Sequence, residues 1–388
     1  MPKIHCLNNI SKKGTDQLPA GYSLTDSLDE ATGILVRSAK LHDTQFPPSL
    51  LAIARAGAGV NNIPLDRCAD EGIVVFNTPG ANANAVKELV LCSLFLGSRG
   101  IIDGVEWCKE NADDENIAKA AEKAKKAFAG REIQGKKLGV IGLGAIGALV
   151  ANAALELGME VYGYDPYVSV NAAWRISSQV HHLTNLDDLC GQCDYITIHV
   201  PTMDSTKGMI GKHELSLMKD DAVFLNFSRD TLVDIPALEE ALEQGKLGRY
   251  ITDFAVPGLV GTKNTIVLPH LGASTAEAEE NCAVMAVHEL VDYVDNGNIR
   301  NSVNYPACDM GPAPETGSRI AILHNNVPGI ISGVTDALSK KGINVDNITS
   351  KSRGNYAYAL IDLNQALGDD DIATIGALEG VNRVRVVK

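Results

Sequence analysis

One segment limits what this chain can become more than any other. An apolar run at 138–141 leads into Gly142-Leu143-Gly144-Ala145-Ile146-Gly147, and a helical run follows at 148–157. A second apolar run, 161–164, ends on Asp165. Alone, a Gly-x-Gly-x-x-Gly says little, because glycine-rich turns are common. Between a strand and a helix each glycine gains a task. The first permits the tight turn, the second lets the backbone approach a pyrophosphate, and the third lets helix and strand pack closely. The helix start then offers unpaired N–H groups and the positive end of its dipole. A carboxylate at Asp165 accepts ribose hydroxyls and repels a 2′-phosphate, and Pro166-Tyr167 follow it rather than an Arg. The pattern therefore predicts a dinucleotide site for NAD. Its contacts are Gly142, Gly144, Ala145, Ile146, Gly147 and Asp165, the competing role for Asp165 being a turn residue before Pro166.

Around this unit the chain alternates apolar runs with helical stretches. Residues 34–36, 51–54 and 73–76 read as strands, 85–97 as a buried helix and 111–126 as an exposed one. Further strands are expected at 195–199, 223–227 and 265–268, then a long helix at 274–296. Such alternation predicts an α/β fold with parallel sheets covered on both faces. Residues 306–317, rich in Pro and Gly, read as a linker, and 318–388 as a small α+β domain of strand, helix, two strands, helix and strand.

At 388 residues, two or three domains are expected. A formal charge of −14 argues against nucleic acid, whose phosphates need basic surface. It also means that a site for a small anion must gather its own cations. No apolar run reaches bilayer length and no secretory pattern opens the chain, so neither a membrane nor export is expected. Eight scattered cysteines, with Cys190-Gly-Gln-Cys193 as the one close pair, suggest reduced thiols, a cytoplasmic setting and no metal.

Two more segments fall where strands of the central sheet should end. They are Asn226-Phe227-Ser228-Arg229-Asp230 and Pro269-His270-Leu271-Gly272-Ala273-Ser274-Thr275. Oxidation of an alcohol beside a carboxylate needs a base for the hydroxyl proton and a cation for the acid. His270 suits the first and the forked guanidinium of Arg229 the second. Arg37, Lys40 and Arg55, at the ends of two early strands, could supply the cations for a phosphorylated acid.

With these pieces assembled, the chain resembles the D-isomer-specific 2-hydroxyacid dehydrogenases. The likeness spans nearly its whole length and includes Arg37-Ser38, Arg55-Ala56-Gly57-Ala58-Gly59, Asn77-Thr78-Pro79, the glycine turn, His199-Val200-Pro201 and the His270 segment. It implies a doubly wound Rossmann domain at 98–272 inserted in a flavodoxin-like substrate domain of 1–97 and 273–305. It further implies Arg229 on the substrate carboxylate and carbonyl, and His270 as acid–base. Ala58 and Gly59 backbone would contact the carboxylate, while Arg37, Ser38, Asn82 and, by charge, Arg55 would contact the rest. Cofactor contacts would add His199, Val200, Pro201, Ser228, Gly272 and Asp253, the last on the nicotinamide carboxamide. The branch that oxidises D-3-phosphoglycerate, the entry step of serine synthesis, is implied most directly. Reduction of hydroxypyruvate or another 2-oxo acid, and an NAD-responsive scaffold of the corepressor type, stay open as alternatives.

Two departures stand out. The family carries a Glu soon after the Asp253 position to charge the catalytic His, whereas Asp253-Phe254-Ala255-Val256-Pro257 has none. Asp230 stands where Gly is usual; it reads best as a turn residue, the alternative being that it replaces the missing carboxylate. No carboxylate partner for His270 can be named from the sequence.

Residues 318–388 resemble an ACT domain, a small ligand-binding module, through Ile322-Leu323-His324-Asn325-Asn326-Val327-Pro328-Gly329. The resemblance implies L-serine as a candidate effector on His324, Asn326 and Asn344, and a homodimer or homotetramer. Capping and turn roles for Asn326 and Asn344 compete with that, as does dimerisation without an effector.

Overall fold

The computed structural model describes residues 1–387. The chain divides into two compact units, one made of Met1–Asn82 with everything from Ala276 onward, the other of Ala83–Thr275.

In the first unit, β1 (Lys3–Cys6), β2 (Ser23–Thr25), β3 (Gly33–Val36), β4 (Ala52–Arg55) and β5 (Val74–Phe76) form one parallel sheet. Its order, β2-β1-β3-β4-β5, is the flavodoxin-like 2-1-3-4-5 winding. β3 and β5 are buried at every residue, as strands covered on both faces must be. β1 and β2 are short and mixed in polarity, and no apolar run marks them in the sequence. The helix Ala276–Asn296 covers one face through Ala286, Val287, Leu290 and Tyr293.

The same unit contains an antiparallel sheet of β13 (Ser318–Asn325), β14 (Val345–Arg353), β15 (Tyr356–Leu363) and β16 (Val381–Val386), ordered β14-β15-β13-β16. Helices Ile330–Lys340 and Asp369–Gly376 complete the expected α+β order. Its two central strands, β13 and β15, are buried on both faces. Ile320, Ile322, Ala359 and Ile361 pack against the two helices. The alternate residues Ala321, Leu323, Tyr358 and Leu360 enter the core that holds Phe76, Leu290 and Tyr293. The C-terminal domain is thus built into the first unit rather than hung from it. Residues 306–317, expected as a linker, are irregular but tied down. Cys308 bridges to Ile299, and the Gly311 carbonyl accepts from buried Arg319, which also pairs with Asp362 at 2.6 Å.

The second unit winds β6 (Lys137–Ile141), β7 (Glu160–Tyr164), β8 (His181–His182), β9 (Tyr195–Ile198), β10 (Val223–Asn226), β11 (Arg249–Thr252) and β12 (Thr265–Val267) into a parallel sheet. The order β12-β11-β10-β9-β6-β7-β8 is doubly wound and reverses between β6 and β9. Ligands of such sheets bind beyond the carboxyl ends of the strands at that reversal.

Two boundaries differ from expectation. The unit begins at Ala83, not 98, because the helix Ala83–Ser98 buries Val86, Val90 and Leu94 in its core, and it ends at Thr275. The expected helix at 111–126 is shorter, Ile117–Ala124, followed by a 3-10 turn. Before it, the Asp114 carboxylate accepts the Asn116 amide and holds the chain in a turn. Among the described residues no helix is long and apolar enough to cross a membrane.

Candidate active site

The glycine turn lies at the carboxyl end of β6. Gly142 stands at φ 88°, left-handed backbone that favours glycine. A Cβ on Gly147 would land on the Gly142 carbonyl oxygen, so helix Ala145–Glu156 can start this close to the strand only with glycine there. At Gly144 the space is open, with nothing within 4 Å of where a side chain would begin. Asp165, beyond β7, ties the turn together. Its Oδ2 accepts the Leu143 amide at 2.9 Å and its Oδ1 the Tyr167 amide at 2.8 Å.

Next to the turn, beyond β9, the His199 amide donates to the Ile141 carbonyl at 2.7 Å, and Val200 flanks Gly142. The His199 ring is buried, with Nε2 2.9 Å from the Thr197 hydroxyl. Burial pushes its pKa down to about 3, so the imidazole is neutral, and Nδ1 has no partner among the described residues. Pro201 accepts the Thr206 hydroxyl at 2.7 Å.

Arg229, Asp253 and His270 stand just past the carboxyl ends of β10, β11 and β12, three adjacent strands. Buried Asn226 shapes the first turn, its side chain receiving the Ser228 amide at 3.1 Å and donating to the Arg229 carbonyl at 2.8 Å. This leaves the Arg229 side chain exposed. His270 is also exposed and holds φ 53°, which few non-glycine residues adopt. Its amide donates to the carbonyls of Asp253, at 2.8 Å, and Leu268, at 3.0 Å, and its ring lies 5.1 Å from that of Phe254. No carboxylate hydrogen-bonds that ring among the described residues, Asp230 included.

Asp253 is 1% exposed, and burial raises its pKa against the pull of the Gly272 amide, His270 and Arg229. Its Oδ2 accepts the Gly272 amide at 2.8 Å, while Oδ1 is buried without a partner among the described residues. A buried acceptor left open in this way calls for a donor from outside the chain. The residues present fit NAD: Gly144 and the helix start would take its pyrophosphate, Asp165 a ribose and Asp253 the carboxamide.

The first unit gathers its expected residues at the ends of β3 and β4. Arg37 is not free there. Its Nη2 pairs with Glu279 at 2.7 Å, both side chains being more than two-fifths exposed. Arg55 donates to the Arg37 carbonyl at 3.1 Å and lies along Gly57. Asn8, which sequence reasoning missed, accepts the amides of Arg37, Ser38 and Ala39 at 2.9–3.0 Å. No sequence signal marks it, because the strand it follows, β1, carries no apolar run. Ala58 and Gly59 are partly exposed, and Asn77, another residue missed as a scaffold, donates to the Ala58 carbonyl at 2.6 Å. Asn82 closes the first segment of this unit, and Lys40 is exposed.

In the C-terminal domain, His324 and Asn326 line one cavity of about 260 Å³ with Ser332, Ser350, Lys351 and Ser352. His324 is 4% exposed, with Nδ1 2.8 Å from the Asn325 carbonyl and Nε2 unpartnered among the described residues. Asn344 does not line this cavity. It pairs with Asp346 and Asn364 in the turn before β14, a local role that its position after Gly342 favours. Cys190 and Cys193 are fully buried, which pushes both thiols up to about 12 and keeps them protonated.

Comparison with known proteins agrees with this geometry. Residues 97–272 match the model of the D-isomer specific 2-hydroxyacid dehydrogenase NAD binding domain. The chain is 33% identical over 387 residues to D-3-phosphoglycerate dehydrogenase of Escherichia coli (strain K12), covering 94% of this chain and 88% of the relative. For the same-named protein of Haemophilus influenzae the values are 32%, 95% and 89%. Among solved structures, the NAD+-bound 3-phosphoglycerate dehydrogenase of Entamoeba histolytica superposes with a TM-score of 0.62 at 25% identity, covering 78% of this chain and 98% of that one. Glycine turn, an Arg and a His at strand ends of one sheet edge, and relatives over almost the full length converge: the chain belongs to the D-isomer specific 2-hydroxyacid dehydrogenase family.

Proposed function

We propose that the protein oxidises D-3-phosphoglycerate to 3-phosphohydroxypyruvate with NAD, the reaction that opens serine synthesis. The carrying observation is the row of Arg229, Asp253 and His270 at the ends of three adjacent parallel strands, on the sheet edge that bears the glycine turn. The names of the relatives support the substrate.

Bound NAD supplies the hydride acceptor. Arg229 takes the substrate carboxylate in its planar fork and fixes the carbon to be oxidised. The His270 imidazole removes the hydroxyl proton as the carbonyl forms. Asp253, with its open Oδ1, would hold the nicotinamide through its carboxamide. The Ala58–Gly59 backbone adds N–H donors for the carboxylate, and Arg37 with Arg55 supplies charge for the phosphate, which an acidic protein needs locally.

His270→Ala should lower kcat at least about a hundredfold, within the usual range for loss of a general base, while NAD affinity is kept. NADH formation and NAD titration measure the two separately. Turnover near the parent rate would remove His270 from the reaction.

The same reading gives L-serine a place in the cavity of His324 and Asn326. The Nδ1 contact with a carbonyl leaves Nε2 as a lone-pair acceptor for an ammonium or hydroxyl, and Lys351 offers a cation for a carboxylate. A cytoplasmic location is supported by eight cysteines that are all free thiols.

A further inference from the structure

Glu289 is a carboxylate that the chemistry above leaves unused. It stands on the helix Ala276–Asn296, 9% exposed, and burial pushes its pKa up to about 7. Its Oε1 accepts from Asn301 Nδ2 at 2.5 Å, and its Oε2 has no partner among the described residues. A carboxyl so placed is unfavourable for stability, so its location asks for another reason.

Its one hydrogen bond begins a chain. Asn301 opens a segment that runs antiparallel beside β5, with Ser302 bridged to Phe76. The Asn301 carbonyl accepts the Asn77 amide at 3.3 Å, and the Asn77 side chain donates to the Ala58 carbonyl at 2.6 Å. Thr78, next along, holds Gly57 from both sides, its hydroxyl accepting the Gly57 amide at 2.8 Å and its own amide donating to the Gly57 carbonyl at 3.2 Å. The loop 57–59 is therefore clamped by the end of β5. That end is clamped by Asn301, whose side chain Glu289 fixes. All these links lie within one compact unit.

We propose that Glu289 is a positioning residue for the substrate carboxylate, acting through Asn301 and Asn77 to set where the Ala58–Gly59 backbone presents its N–H groups. This rests on the reading that those groups receive the carboxylate. Loosening any link spreads the loop over more positions, which weakens substrate binding and leaves the His270 chemistry alone.

Steady-state kinetics of the full-length protein with D-3-phosphoglycerate and NAD provides the test. Glu289→Leu, Asn301→Ala and Asn77→Ala should each raise KM for the hydroxy acid about tenfold, the scale of one lost hydrogen bond, with kcat and KM for NAD held within about twofold. Glu289→Gln keeps an acceptor oxygen and should keep the parent KM. A role confined to stability would lower the melting temperature of Glu289→Leu without moving KM, and that result overturns the proposal. A raised KM in Asn77→Ala beside parent values in Asn301→Ala and Glu289→Leu overturns it too, while sparing the loop's role. Parent values in all three variants overturn the carboxylate reading of the loop itself. Should Glu289→Leu not fold, Asn301→Ala decides: a raised KM supports the proposal and an unchanged one ends it.

Discussion

An imidazole held at positive φ is strained by about 1 kcal/mol or more, so something must hold His270 in place. Its amide does so by bonding two carbonyls, which fixes the backbone and leaves the ring exposed for reaction. Arg37 is held differently. Its partner Glu279 is as exposed as it is, and exposed pairs of this kind contribute little. A dianionic phosphate can displace Glu279. Arg37→Ala should therefore raise KM for D-3-phosphoglycerate by about tenfold or more, and that for unphosphorylated D-glycerate much less. Equal increases for the two acids would take Arg37 out of phosphate recognition. Arg229 and His270 were legible in the sequence because each closes an apolar strand run inside a recognisable motif. Asn8, Asn77, Asn301 and Glu289 were not. Each works through one or a few hydrogen bonds between segments far apart in the chain, and no local pattern carries that information.

At the scale of elements, the glycine turn was the most legible feature because its constraint is steric. Gly147→Ala should lower NAD affinity at least about tenfold and reduce the melting temperature, since both clashing atoms are near rigid backbone. A melting curve and an NAD titration together check it, and a parent-like result in both would mean that the helix can move away freely. The parallel sheets followed from alternating strands and helices, and their doubly wound order from the family resemblance. The helix Ala83–Ser98 packs in the core of the second unit, which its apolar residues do not reveal, since they show that it is buried but not against which sheet. At 111–116, Asp and Asn side chains compete with helix for the backbone N–H groups, and the helix starts later than its charge order suggested.

For the whole molecule, the C-terminal domain was legible as a fold but not as an attachment. Pro and Gly at 306–317 suggested an independent module, yet the run Ile320-Ala321-Ile322-Leu323 already carried the contrary signal. A strand apolar at every position has both faces covered, and two helices cover only one. The second cover is the core around Phe76 and Tyr293. Because that core is shared, a ligand of the His324 cavity should stabilise the whole first unit. Saturating L-serine is expected to raise the melting temperature by a few degrees, the size of shift that about 2 kcal/mol of linkage gives a chain this large. His324→Ala should abolish the rise, and no shift with the parent would remove serine as the effector.

The two-sided burial of β13 and β15 also determines what a protease could achieve. A cut between Cys308 and Gly317 would sever the polypeptide without parting its pieces. The Tyr358 and Leu360 face would stay seated. Arg385 would still bond the Tyr293 carbonyl at 2.8 Å, and Arg383 the Leu50 carbonyl. The nicked protein would behave as two complementing fragments, intact by size under native conditions and split only once denatured.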